Sequence, residues 1–135
     1  MRILILEDNQ ERIDAFTKAL KIYPNLELFV WRDAHSFIRD VDQHLEAANF
    51  ISLDHDLVSE TGIDPGDGLE VAEYLRDKNP ICPVIIHTTN VNRSWSMLRE
   101  LKDGNWQVER HPPVVMGVDW IYQNWIEVVR KMLRD

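Results

Sequence analysis

Short apolar runs that end abruptly in polar clusters constrain this chain more than any other feature. Ile3-Leu4-Ile5-Leu6 runs into Glu7-Asp8-Asn9, Phe50-Ile51-Ser52-Leu53 into Asp54-His55-Asp56, and Pro83-Val84-Ile85-Ile86 into His87-Thr88-Thr89-Asn90. Runs of this kind read as parallel strands buried on both faces. Their carboxyl ends form the edge at which open α/β sheets bind ligands. Three strands therefore bring carboxylates, imidazoles and hydroxyls to one rim.

The segments between them have helical spacing. Ile13, Phe16 and Leu20 mark the buried face of a first helix that Pro24 stops. A second strand covers residues 26–31, and Asp33 caps a second helix with the stripe Phe37, Ile38, Val41 and Leu45. After the third strand, residues 50–53, a long loop spans residues 58–66 and carries Gly62, Pro65 and Gly66. Asp67 with Glu70 forms a capping-box-like start to a helix burying Leu69, Ala72 and Leu75, with Pro80 beyond its end. The fourth strand is residues 83–87. A fourth helix follows with Val91, Trp95, Leu98 and Leu101 on its inner face and Gly104 after it. A fifth strand at residues 106–110 precedes a last helix, capped by Asp119, that buries Ile121, Trp125, Val128 and Met132. The pattern predicts a single α/β domain over residues 1–135, a doubly wound (βα)5 sandwich. Right-handed crossovers favour a five-stranded parallel sheet ordered 2-1-3-4-5, the flavodoxin-like arrangement.

Composition narrows the function. A net charge of −8 argues against a general nucleic-acid surface, but not against a small phosphorylated ligand whose charge a metal or local cation offsets. No apolar stretch approaches the roughly 20 residues needed to cross a bilayer, so no membrane role is expected. Met1-Arg2-Ile3-Leu4 enters a strand directly, which leaves no signal peptide and predicts a cytoplasmic protein. The lone Cys82 permits no internal disulfide and reads as a core residue.

At the rim, Glu7, Asp8, Asp54 and Asp56 crowd four carboxylates that would repel one another without a cation. Oxygen ligands suit Mg²⁺ or Mn²⁺, and His87 as a nitrogen ligand tilts the choice toward Mn²⁺ or Zn²⁺. Imidazole as a group titrates near neutral pH, which makes His55, His87 and His111 candidates for acid–base work. Arg110 is a candidate phosphate clamp, and Thr88, Thr89 and Asn90 can donate to phosphate oxygens or cap the following helix. One of Trp95, Trp106 and Trp120, if exposed, would anchor a protein partner.

Over nearly its whole length the chain resembles a response-regulator receiver domain. Glu7-Asp8 is similar to the acidic pair after the first strand, and Asp54 to the phosphoacceptor aspartate. Gly66-Asp67-Gly68-Leu69 is similar to the glycine-rich entry of the third helix, and Thr88 to the switch threonine. That resemblance implies Mg²⁺ held by Glu7, Asp8, Asp54 and the carbonyl of residue 56, with phosphate passed to Asp54 from a histidine kinase. The chain departs from the pattern where a receiver carries lysine: Glu109-Arg110-His111-Pro112 follows the fifth strand. Asp56, His55 and His87 add chemistry that a phosphoacceptor does not need, and the loop before Gly68 is longer than a receiver's.

Leu53-Asp54-His55-Asp56-Leu57 and His87-Thr88-Thr89-Asn90 resemble a receiver-derived family named for cyclic-phosphate processing. Membership implies a metal-dependent phosphoesterase acting on a cyclic phosphate or related phosphodiester. Asp8, Asp54, Asp56 and His87 would hold metal, which lowers the pKa of a water. His55 or His111 would protonate the leaving oxygen and Arg110 would bind phosphoryl charge. The alternatives are a receiver phosphorylated on Asp54 and a degenerate receiver that binds a protein partner.

Overall fold

The computed structural model describes residues 1–59 and 61–134. Glu60, inside the long loop expected at residues 58–66, lies outside the described residues, as does Asp135. Five parallel strands form one sheet: β1 (Arg2–Leu6), β2 (Glu27–Trp31), β3 (Phe50–Leu53), β4 (Val84–Ile86) and β5 (Val108–Arg110). Their order is β2-β1-β3-β4-β5, as the crossover argument predicts. The helices are α1 (Gln10–Ala19), α2 (Ala34–Asp40), α3 (Asp42–Leu45), α4 (Gly68–Arg76), α5 (Val91–Asp103) and α6 (Ile126–Arg134). Among the described residues, no helix is long and apolar enough to cross a membrane.

Strand parity decides which layer each side chain joins, because successive residues point to opposite faces. Leu4, Leu6, Ile51, Leu53, Val84 and Ile86 pack into one cluster with α2, α4 and α5. Ile3, Ile5, Phe50 and Ile85 pack into a second with α1 and α6. Register sets Ile5 beside Ser52, and Ser52 beside Ile85. Cys82 is buried and burial pushes its thiol up to about 12, which fits a core position.

Several boundaries depart from the sequence expectation. The second helix divides into α2 and α3 at Val41, although its apolar stripe stays buried at Phe37, Val41 and Leu45. On α5 the buried positions are Ser94, Met97 and Leu101, while Val91 and Trp95 are exposed. The helix is turned because Ser94 accepts from Arg110 at 2.7 Å, while the Arg110 guanidinium covers the Trp95 ring at 3.9 Å. Asp119 does not cap the last helix. It lies within the helical segment, and the Ile121 N–H instead bonds the Val118 carbonyl at 3.0 Å. A π-helical turn, Ile121–Trp125, then leads into α6. Strand β5 begins two residues later than expected, with Trp106 buried beside it and donating to the Leu75 carbonyl.

Capping fixes the helix starts at the rim. Asn9 caps α1 by accepting from the Arg12 N–H, Asp67 caps α4 through Glu70, and Asn90 caps α5 through Arg93. The first turn of α4 lies directly on the β3 loop, where the Gly68 N–H donates to the His55 carbonyl at 3.0 Å. A Cβ at Gly68 would sit 2.8 Å from the His55 Cα and inside contact distance of the Asp54 carbonyl. Gly68→Ala is therefore expected to lower stability by about 2–3 kcal/mol, read as a lower urea midpoint at unchanged m-value. An unchanged midpoint would show that the helix can move off the loop without cost.

Candidate active site on the carboxyl rim of the sheet

The parity that fills the second core layer also carries polar side chains into it. Glu7 follows Ile5 by two residues, Ser52 and Asp54 follow Phe50, and His87 follows Ile85, so all four face the α1/α6 layer. Glu7, Ser52 and His87 are fully buried there. Trp125, in the π-helical turn, donates its indole N–H to Ser52 Oγ at 3.0 Å. Ser52 Oγ lies 2.6 Å from His87 Nδ1, and His87 Nε2 lies 3.1 Å from Glu7 Oε1. The Glu7 carboxylate can only accept, so His87 Nε2 carries a proton and donates to it. On the other side of the ring, Nδ1 is paired with the Ser52 hydroxyl.

Glu7 is the best-satisfied acid of the rim. Its second oxygen accepts the backbone N–H groups of Asp8 at 3.1 Å and Asn9 at 3.2 Å, and Arg12 Nη1 stands 3.6 Å from the first. Burial alone would raise its pKa, but the hydrogen bond and charge of His87, then the Arg12 charge and the Asn9 N–H, together hold it at about 2. Asp54 has the opposite fate. Burial, then the adjacent Glu7 charge, push its carboxyl up to about 8 despite the hydrogen bond from the His55 N–H. Asp8 is also raised, chiefly by burial.

A cleft of about 470 Å³ opens over these groups. Its walls include the candidate residues Asp8, Asp54, Asp56, Thr88 and Thr89 together with Asn9, Gln10, Arg12, Arg32 and Val58. Asp56 is the exposed acid of the set, at 66% side-chain exposure. His55 Nδ1 holds it at 3.0 Å and Asn90 Nδ2 at 3.3 Å. Thr88 Oγ1 accepts the Asn90 N–H and keeps its own proton to donate.

The other named residues are placed elsewhere. His87 lies beneath the rim, inside the core layer. His55 is buried, and its Nε2 has no hydrogen-bond partner among the described residues, the nearest Asp67 oxygen being 3.7 Å away. Arg110 turns toward α5, and His111 Nε2 pairs with Glu109 at 2.9 Å, so neither lines the cleft. Of the three tryptophans considered as surface anchors, Trp95 is exposed, while Trp106 and Trp120 are buried. Sequence reasoning overlooked Ser52, Arg12 and Arg32. Ser52 had a signal: a hydroxyl interrupting an otherwise apolar buried strand must find a partner inside the core.

Two overlapping donor sets suit a divalent ion. Asp8 and Asp54 offer carboxylate oxygens in the cleft, and Glu7, Asp54 and His87 place one ligand atom each within 4.8 Å of one another. The second set is already committed internally, since Glu7 and His87 bond each other. A carboxyl held neutral to about 8 by burial and a neighbouring anion is what a cation relieves, so the residues fit such an ion.

Residues 2–103 match the model of the family described as the cyclic-phosphate processing receiver domain. The chain belongs to that family. As a cyclic-phosphate processing receiver it shares its fold with solved response regulators. It is similar to the response regulator domain of Thermotoga maritima CheB at 13% identity, covering 100% of this chain and 97% of that one with a TM-score of 0.70. It is also similar to the phosphorylated cyanobacterial phytochrome response regulator RcpA, at 21% identity, 98% and 93% coverage and a TM-score of 0.69. The Mn²⁺-bound form of the response regulator Rcp1 aligns at 17% identity over 96% and 91% of the two chains, with a TM-score of 0.66. A search of the curated proteins finds no significant match.

Glu7 and Asp54, the most strongly shifted acids of the rim, predict the pH dependence of stability. Asp54 ionises near 3.8 in the unfolded chain but at about 8 in the folded one, so the folded state binds the extra proton between those values. Stability from this group is complete below about pH 4 and is lost as pH rises through 8. Glu7 acts oppositely, losing its contribution as pH falls from about 4.5 toward 2. With EDTA present, Tm is expected to fall between pH 5 and pH 8, and Asp54→Asn to flatten that fall. Parallel profiles for the two proteins would contradict it.

Proposed function

We propose that this receiver-fold protein hydrolyses a cyclic phosphate or related phosphodiester in a divalent-metal-dependent reaction. The observation that carries the reading is Asp56. A phosphoacceptor site uses one nucleophilic aspartate, yet this cleft holds a third carboxylate, exposed and oriented by His55 and Asn90. Asp8 and Asp54 would hold Mg²⁺ or Mn²⁺, and the ion would supply Lewis-acid charge neutralisation and a water of lowered pKa. Asp56 takes the proton from the attacking water and returns it to the departing ring oxygen. One P–O bond forms, one breaks, and the product is a phosphomonoester. Thr88 and Thr89 donate hydrogen bonds to phosphoryl oxygens, and the closed ring suits a shallow cleft.

The second reading is a phosphorelay receiver taking phosphate on Asp54 from a histidine kinase. The seating of Asp54 beside Glu7 and Thr88 favours it. A ³¹P NMR time course with Mn²⁺, a 2′,3′-cyclic nucleotide and acetyl phosphate separates the two. The proposal expects ring opening that EDTA stops and that Asp56→Asn slows by about 100-fold. An intact ring with an acyl-phosphate resonance that Asp54→Ala removes would overturn it in favour of the receiver.

A further inference from the structure

A phosphoryl group entering this cleft meets Asp8, Asp54 and Asp56 in a chain of net charge −8. A metal offsets part of that charge, and a protein cation must offset the rest. The end of β5 does not supply it. Arg110 Nε is bonded to Ser94 Oγ at 2.7 Å, its guanidinium lies over Trp95 at 3.9 Å, and His111 is held by Glu109. Arg32 lines the cleft, but one terminal nitrogen donates to the Asp8 carbonyl and the other to Gln10, each at 2.7 Å.

Arg12 is differently placed. It projects from the first turn of α1 into the cleft wall with 24% of its side chain exposed. Its Nη1 stands 3.6 Å from Glu7 Oε1 and 3.9 Å from Asp54 Oδ2. Those separations are those of an ion pair, longer than charge-assisted hydrogen bonds, so the donors there are not locked. The guanidinium also rests over the Trp120 ring, 5.6 Å from its centroid, and Trp120 is itself fixed by its indole bond to the Gly117 carbonyl at 2.9 Å. An aromatic wall behind a guanidinium orients it without using its N–H donors.

We propose that Arg12 is the residue that binds the phosphoryl oxygens beside Asp54. It presents a planar fork of donors to the group and shares its charge with Glu7 when the cleft is empty. The assignment rests on reading the cleft as a phosphoryl site, whether the reaction is hydrolysis or transfer to Asp54. In this scheme Arg12 lends the carboxylates charge but no hydrogen bond: backbone N–H groups and His87 hold Glu7 in place, and the His55 N–H holds Asp54.

The test is binding of orthovanadate, a phosphoryl mimic, to Mg²⁺-saturated protein, followed by ⁵¹V NMR, with Mg²⁺ affinity measured separately. Arg12→Gln is expected to weaken vanadate binding at least about tenfold while Mg²⁺ affinity holds or tightens, because a competing cation is gone. Arg12→Lys should recover part of the loss, and Arg110→Gln should bind as the wild type does. Equal vanadate affinity in wild type and Arg12→Gln would overturn the assignment. So would a parallel loss of Mg²⁺ and vanadate affinity, which would make Arg12 a prop for the carboxylates. Wild-type protein that binds vanadate but opens no cyclic phosphate would end the phosphoesterase reading and leave Arg12 in place. Wild-type protein that binds no vanadate would end both.

Discussion

A carboxylate with no access to water must be satisfied entirely by the protein, and Glu7 imposes that requirement on the rest of this structure. Its hydrogen-bond partners come from the α1 cap loop and the end of β4, Arg12 in the first turn of α1 adds charge, and the chain continues from His87 through Ser52 to the turn carrying Trp125. Breaking one link would strand a buried donor or acceptor at a cost of about 1–3 kcal/mol. The π-helical turn belongs to this requirement. It lies just where Trp125 reaches Ser52 through the apolar layer, and the Phe16 ring packs against both Trp125 and His87. Apolar residues of similar shape would fill that layer with less desolvation. What the polar chain provides in their place is a permanent negative charge beneath the rim.

That charge sets the chemistry above it. Held at about 2, Glu7 stays ionised across the physiological range, and burial, with the Glu7 charge beside it, keeps Asp54 protonated to about 8. On the proposed reading a cation would displace the proton on Asp54, and the affinity of such a site would rise with pH. Receiver-fold architecture supplies the platform, with loops at the carboxyl edge of a parallel sheet and helices capped by Asn9, Asp67 and Asn90 around it. What distinguishes this chain lies in the side chains mounted there: Asp56 braced by His55 and Asn90, and cations drawn from α1 and the β2 end.

Much of this was legible in the sequence, because the signals were periodic and local. Buried strands announced themselves as apolar runs, and strand order followed from short right-handed crossovers. The cleft acids stand at those strand ends, and Asp67 caps α4 as its spacing with Glu70 indicated. The same parity rule, carried one step further, places Arg110 on the face of Val108, toward α5, and so away from the cleft. It also sends Glu7, Ser52 and His87 into the core layer together. Other features depended on tertiary contacts that no local pattern encodes. The rotation of α5 that exposes Trp95 is fixed by the pairing of Ser94 with Arg110. Arg12 reaches the cleft because Trp120, more than a hundred residues away in sequence, stands behind it.

The protonation state of His87 tests the central claim most directly, because the whole chain from Trp125 to Glu7 depends on the direction of its hydrogen bonds. Long-range ¹H–¹⁵N correlation spectra of ¹⁵N-histidine-labelled protein near pH 7 report each ring nitrogen separately. The account predicts a proton on His87 Nε2, hydrogen-bonded to the Glu7 carboxylate. A ring whose Nε2 carries no proton would contradict it.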